Sequence, residues 1–175
     1  MQPIEKAFQW VLEQPDILSA LMLVDNYMQT AVKLEKLLLP AAHAPLQPLI
    51  AKYAIDLAGF RKFIRDQRDN FKRGDREYRD LHEFYRTLDV RLQQQTRRAR
   101  INRWAEAAVP FETPAHRDSA MLAQEQEWTR RRLDYLELAR SRHPKKRLST
   151  TERAMVADEF WAGVDKEIEN LLQTR

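Results

Sequence analysis

The segment YAIDLAGFRKFIRDQRDNFKRGDREYRDLHEFYRTLDVRLQQQ, residues 53–95, decides the fold of this 175-residue chain. Apolar residues recur along it in alternating steps of four and three, which is the heptad spacing of helices that pack side by side. We expect this face to pack on itself or on a partner helix. Its contact residues are Tyr53, Leu57, Phe60, Ile64, Phe71, Tyr78, Leu81, Tyr85, Leu88 and Leu92.

Two arrangements of this segment are compatible with the heptad spacing. An unbroken helix over residues 49–107 would be about 85 Å long at a rise of 1.5 Å per residue. Gly74 followed by Asp75 is the natural place for a break, because Gly suits a helix end and Asp suits the start of the next helix. The segment is therefore either one long rod or a helical hairpin that turns near Gly74.

The rest of the chain is also helical, and its prolines mark the helix ends because a proline inside a helix costs about 3 kcal/mol. One helix is predicted over residues 16–39, with Asp16 as its N-cap and Asp25 interrupting its apolar face. Others are predicted over residues 118–143 and 149–173, the last opened by a Ser149–Glu152 capping box. The sequence predicts an all-α antiparallel helical bundle with coiled-coil character. It forms a single domain over residues 1–175, or two parts, 1–110 and 111–175.

The composition argues against an enzyme. The chain has 3 Gly and no Cys, which excludes disulfides, Cys-ligated zinc, thiol catalysis and Gly-rich phosphate loops. Its four His residues are not at metal-ligand spacing, and no E-x-x-H, G-x-S-x-G, H-E-x-x-H or Walker motif occurs. We expect no metal, no cofactor and no catalytic residue.

Nothing in the sequence indicates a membrane protein. No apolar run approaches the ~18 residues of a membrane span. The N-terminus has neither the basic start nor the apolar stretch of a signal peptide. We expect a cytoplasmic protein.

Positive charge is concentrated in the middle of the chain, where residues 61–104 hold 14 basic and 7 acidic groups. Three basic clusters follow. The first cluster is Arg97, Arg98, Arg100 and Arg103; the second is Arg130, Arg131 and Arg132; the third is Arg142, Lys145, Lys146 and Arg147, with Arg140 beside it. Trp104 and Trp128 lie beside the first two clusters.

Arginines next to aromatic rings are typical of surfaces that bind single-stranded nucleic acid, where bases stack and phosphates are neutralised. We therefore predict nucleic-acid contacts at the three clusters and at Trp104. The alternative is a solvated face stabilised by i,i+4 ion pairs, which we favour for residues 61–90 because seven acids interleave there. For Trp104 and Trp128 the alternative to base stacking is a place in the hydrophobic core, which we favour for both.

The stretches QEQEWTRRRL at residues 124–133 and IENLL at residues 168–172 resemble the PriC family of primosomal replication proteins. LEKL at residues 34–37, followed by a Pro/Ala linker, resembles its N-terminal part, whereas residues 61–85 do not fit it. The resemblance implies a helical replication-restart factor that is not an enzyme. It also implies binding to single-stranded DNA and to the acidic tail of single-stranded DNA-binding protein, with Arg130, Arg131 and Arg132 as the corresponding basic residues.

Our leading hypothesis is a non-enzymatic accessory of replication or of another nucleoprotein complex, which binds single strands without reading their sequence. One alternative is a protein–protein adaptor or assembly subunit. In it the heptad face pairs with itself in a homodimer or with a partner, and the basic clusters meet an acidic protein. Another is a small helical subunit of a ribonucleoprotein complex.

Overall fold

Helices make up all of the regular structure in the computed structural model, which describes residues 1–33, 37–108 and 113–174. The all-α fold predicted from the sequence is therefore confirmed. The elements in these ranges are α1 Pro3–Leu12, α2 Ile17–Lys33, a 3-10 helix Ala41–Leu46, α3 Gln47–Tyr53, α4 Leu57–Arg68, α5 Arg76–Ala108, α6 Pro114–Arg142 and α7 Thr150–Gln173.

The chain forms two compact units, Met1–Gln94 and Gln95–Arg175, and α5 contributes residues to both. The boundary between the units falls within α5. The alternative boundary at residue 110 lies outside the described residues. A single domain over residues 1–175 stays a prediction.

The first unit is built around one hydrophobic core to which α1 to α4, the 3-10 helix and the first part of α5 all contribute. Aromatic rings meet edge to face in it: Phe8 and Phe63 lie 5.3 Å apart between ring centroids, and Phe60 and Phe84 lie 5.8 Å apart. The buried residues are Ala7, Phe8, Val11, Ile17, Ala20, Leu21, Val24, Met28, Leu46, Leu49, Ile50, Tyr53, Phe60, Ile64, Leu81, Phe84 and Leu88.

The heptad segment is a hairpin and not a rod. Helix α4 ends at Arg68 and α5 begins at Arg76, so the unbroken helix over residues 49–107 is wrong and the turn near Gly74 is found. The Asp75 carboxylate accepts the Lys72 N–H at 3.0 Å within the turn. A second break, between α3 and α4, was not predicted; there Asp56 caps α4 by accepting the Gly59 N–H at 2.8 Å.

The hairpin changes the role of the heptad face. Because its two halves fold onto each other, eight of the ten residues predicted to meet a partner helix lie in the core of the first unit or pack against it. Tyr53, Phe60, Ile64, Leu81 and Leu88 are buried, and Leu57, Phe71, Tyr78, Tyr85 and Leu92 are half-buried. This face is therefore used within the unit, and it gives no support to coiled-coil pairing with a second chain.

The second unit consists of α6, α7 and the last part of α5, around a core of Ile101, Trp128, Phe160, Val164 and Ile168. Helix α6 begins at Pro114, earlier than predicted, because the Thr113 hydroxyl caps it by accepting the His116 N–H at 3.1 Å. Helix α7 follows the predicted Ser149 cap, whose hydroxyl accepts the Glu152 N–H at 3.1 Å. Helices α6 and α7 are antiparallel, as three contacts show: Arg131 with Glu167, Tyr135 with Phe160, and His143 with Glu152.

Asp25 interrupts the apolar face of α2, as expected, and the structure supplies its partner. The carboxylate is 8% exposed and accepts two hydrogen bonds from the Arg91 guanidinium of α5, both 2.6 Å long. The bond to Asp25 raises the pKa of Arg91 above its usual value. Helix α2 has the predicted Asp16 cap and is described as Ile17–Lys33. Of the longer predicted helix, residues 34–36 lie outside the described residues, and residues 37–39 are not helical.

We predict that Asp25→Ala lowers the free energy of unfolding of the first unit by about 2–3 kcal/mol, because it leaves the Arg91 guanidinium without its partner in a largely buried position. Urea denaturation followed by circular dichroism measures the change. The control is Asp66→Ala, which removes an exposed ion pair to Arg65 with a separation of 3.5 Å and should cost about 0.5 kcal/mol or less. Equal costs for the two variants would contradict a stabilising role for the buried pair.

Candidate nucleic-acid interface

The loop between α6 and α7, residues 143–149, carries most of the third basic cluster in a defined conformation. Lys146 has a φ of 48°, in the left-handed region that few residues with a side chain adopt. Its N–H donates to the His143 carbonyl oxygen at 2.9 Å. Leu148 is buried and anchors the loop. The turn therefore has one specific geometry that directs its lysines outwards.

Hydrogen bonds fix the loop to the start of α7. Besides its cap, Ser149 donates its N–H to the Glu152 carboxylate at 3.4 Å, and His143 Nε2 lies 2.7 Å from the same carboxylate. The Ser149 hydroxyl and N–H bonds favour the ionised form, so the pKa of Glu152 lies below its usual value. Glu152 thus joins both ends of the loop.

The third cluster combines four exposed cations over six residues. All four residues, Arg142, Lys145, Lys146 and Arg147, are exposed, and none forms an ion pair with a described residue. No acidic residue occurs between residues 138 and 151. Arg140, next to the cluster, is paired with Glu137 at 2.7 Å. The loop can therefore accept an anion without giving up an existing partner.

The first cluster is mostly engaged in holding the second unit together. Arg97 pairs with Glu125 of α6 at 3.1 Å, and Arg100 pairs with Asp165 of α7 at 2.8 Å. Arg103 lies 4.0 Å from Glu169, and Arg98 is exposed without an ion pair to a described residue. For Arg97 and Arg100, contact with phosphate would require breaking an ion pair between helices.

The second cluster is divided in the same way. Arg130 pairs with Glu127 at 2.6 Å and Asp134 at 3.2 Å on its own helix, and these partners raise its pKa. Arg131 pairs with Glu167 of α7 at 2.8 Å, and the bond to Glu167 raises the pKa of Arg131. Arg132 is exposed and has no ion pair with a described residue. Of these three, Arg132 is the residue most available to a ligand.

The tryptophans belong to the core more than to the surface. Trp128 is 4% exposed, and the rings of Trp104 and Trp161 approach it edge to face at 6.3 and 6.1 Å. Trp104 and Trp161 are half-buried, and the Arg100 guanidinium lies 4.4 Å from the Trp161 ring centroid. Trp128 therefore cannot stack on a base in this structure, and the core interpretation applies to it.

A small cavity of about 100 Å³ brings the first two clusters together, whereas the third stays apart. Arg97 and Arg100 line it from α5, Arg132 from α6, and Trp128 and Trp161 form its aromatic wall. Arg142 lies ten residues beyond the cavity along α6, about 15 Å at the helical rise.

Two residues of this surface were missed in the sequence. Trp161 was overlooked because it lies one position off the apolar stripe of α7. Arg153, in the first turns of α7, is exposed without an ion pair to a described residue, and a count from the Ser149 cap could have placed it near the loop.

No group of His, Cys, Asp and Glu that could hold a metal ion occurs among the described residues. No helix in the same ranges is both long and apolar enough to cross a membrane.

No family model, no curated protein and no solved structure matches this chain. The resemblance to the PriC family therefore stays a prediction.

Arg100 should stabilise the second unit more than Arg103 does, although both lie near the C-terminal end of α5. Arg100→Ala removes a close ion pair and a guanidinium packed on Trp161, and we expect the free energy of unfolding to fall by about 1–2 kcal/mol. Arg103→Ala removes the same charge from an exposed 4.0 Å contact and should cost about 0.5 kcal/mol or less. Urea denaturation of both variants makes the comparison, and an equal loss would refute the structural role of Arg100.

The Glu152 carboxyl should titrate below the usual range of a glutamate. Its depressed pKa contributes stability above the unfolded pKa of about 4.3, and that stability is lost as the pH falls through the folded value. A carbon-13 NMR titration should show the low midpoint, and Ser149→Ala should move it upwards. Asp16, whose pKa is lowered by its own cap to Ser19, is the internal control and should not move. A Glu152 midpoint insensitive to Ser149→Ala would show that the cap is not the cause.

Proposed function

We propose that this chain is a non-enzymatic, nucleic-acid-associated protein whose α6–α7 loop contacts the phosphates of single-stranded nucleic acid without reading their sequence. The observation that carries this proposal is the set of four exposed cations, Arg142, Lys145, Lys146 and Arg147, without an acidic partner among the described residues. The resemblance to the PriC family supports a role as an accessory in replication or in another nucleoprotein complex. The absence of Cys fits a reducing compartment, and the proposal places the protein in the cytoplasm.

The unpaired state of the loop is what distinguishes it from the other clusters. Binding to phosphate releases counterions from the nucleic acid, which favours association at low salt. At Arg97, Arg100 or Arg131 part of that gain would be offset by breaking an intramolecular ion pair. At the loop there is no such cost, and the fixed turn at Lys146 limits the entropy lost on binding.

A preference for single strands would rest on aromatic stacking. The structure supports a role for stacking less than it supports a role for phosphate contacts. Trp128 is buried, so among the tryptophans of the second unit a base could reach only the half-buried rings of Trp104 and Trp161. We expect phosphate contacts to provide most of the affinity and the aromatic contribution to be small.

The decisive variant combines Lys145→Ala, Lys146→Asn and Arg147→Ala. It should weaken binding to single-stranded DNA and lower the slope of log affinity against log salt by about 2, since each lost phosphate contact removes roughly 0.7. Asn tolerates the left-handed conformation better than Lys, so the loop keeps its turn and recovers up to about 1 kcal/mol. Fluorescence anisotropy against single-stranded DNA, duplex DNA and single-stranded RNA at two salt concentrations measures affinity and slope.

The matched control removes three exposed cations from the first unit: Lys62→Ala, Lys72→Ala and Arg73→Ala. It should leave the slope nearly unchanged. Equal effects of the two triple variants would show that the loop contributes only to the overall positive charge of the protein and is not a binding site. Absence of binding at low salt would reject the nucleic-acid proposal and favour an acidic protein as the partner of the cluster.

A further inference from the structure

A groove between α6 and α7 continues from the place where α5 packs on these helices. Its floor is apolar and formed by Leu133, Leu136, Ala154, Val156 and Ala157, and its volume is about 260 Å³. All of its lining residues come from α6 and α7. Leu133 is 55% exposed, although it forms part of this apolar floor.

The groove adjoins the place where a third helix packs on α6 and α7. Near the chain's second core, Ile101 and Trp104 of α5 occupy that position against Trp128. The next stretch shares Arg132 with the cavity at α5 but has no α5 residue in its lining. The small side chains of Ala154 and Ala157 leave room for another helix to approach closely.

The charges on the rim determine what kind of helix fits. Arg132 on α6 and Arg153 on α7 line the groove, and neither forms an ion pair with a described residue. The nearby carboxylates are already engaged, Asp134 with Arg130 and Glu137 with Arg140. The unpaired rim is therefore entirely positive around an apolar floor.

We propose that this groove binds an amphipathic helix of a partner protein, with apolar side chains on one face and Asp or Glu on its flanks. The apolar face packs on Leu133, Leu136 and Val156, and the acidic flanks pair with Arg132 and Arg153. The groove and an adjoining cavity, which share Leu133, Leu136 and Arg153, are lined on α6 from residue 132 to residue 140. At the helical rise this is about 12 Å, a little over two turns. The phosphates of a nucleic acid could pair with the two rim arginines, but they would make no favourable contact with the apolar floor.

The test uses the full chain and a fluorescein-labelled, stapled peptide of about four turns. The peptide has Leu at positions i, i+3, i+4 and i+7 and Glu on both flanks. Anisotropy should show saturable binding. Arg132→Glu with Arg153→Glu should weaken it at least ~10-fold, and a peptide with Lys in place of Glu should bind this double variant better than it binds the unmodified chain.

The matched control is Arg98→Glu with Lys166→Glu, two exposed residues of the second unit outside the groove, and it should change the affinity less than ~2-fold. An unstapled peptide of the same composition with a central Pro should bind at least ~10-fold more weakly. Equal binding of the two peptides, equal effects of the two charge reversals, or no binding of the stapled peptide at ~1 mM would overturn the proposal.

Two further measurements separate this proposal from other interpretations. The loop variant Lys145→Ala, Lys146→Asn, Arg147→Ala should keep most of the peptide affinity, and loss equal to that of the groove reversal would overturn the proposal in favour of general attraction of anions. Sedimentation should show a monomer over the concentrations used. A dimer that the groove reversal dissociates would identify a second copy of the chain as the occupant instead.

Discussion

Arginine–carboxylate pairing along α5 is the interaction on which the rest of the structure depends. In the first unit the Asp89 carboxylate of α5 pairs with Arg61 of α4, and Arg91 makes its two bonds to Asp25 of α2. In the second unit Arg97 and Arg100 make the corresponding contacts to α6 and α7. In the Arg91, Arg97 and Arg100 pairs the planar guanidinium forms two bonds to the carboxylate. These pairs therefore fix the position of neighbouring helices as well as adding energy.

This use of arginine determines which surfaces remain for function. A chain with 30 basic residues could have several cationic faces, but pairing between helices removes most of the first two clusters from that set. In the second unit the α6–α7 loop and the rim of the adjoining groove keep cations without an ion pair to a described residue. The two surfaces differ in chemistry, since one is purely polar and the other has an apolar floor, and so they suit different ligands.

The sequence predicted the parts of the structure that depend on neighbours along the chain. The helical class, the Ser149 cap and the turn near Gly74 all follow from local spacing and local hydrogen bonds. The partners of the first cluster did not, because Glu125 lies 28 residues from Arg97 and Asp165 lies 65 residues from Arg100. Residues 90–105 contain no acidic residue, so the sequence indicated an unpaired basic surface there. In the folded chain, acidic residues of α6 and α7 lie beside it. The core role favoured for Trp128 from the sequence is confirmed by its burial.

The tryptophan cluster has a consequence for how the protein can be observed. The ring centroids of Trp104 and Trp161 lie 6.3 and 6.1 Å from that of Trp128, with interplanar angles of 78° and 87°. Transition dipoles at such separations couple, and their coupling depends on the relative orientation of the rings. The second unit therefore contains an intrinsic exciton chromophore, while the first has Trp10 alone. The tryptophan bands of near-ultraviolet circular dichroism therefore report mainly the packing of the second unit without a label, with Trp10 as the tryptophan contributed by the first.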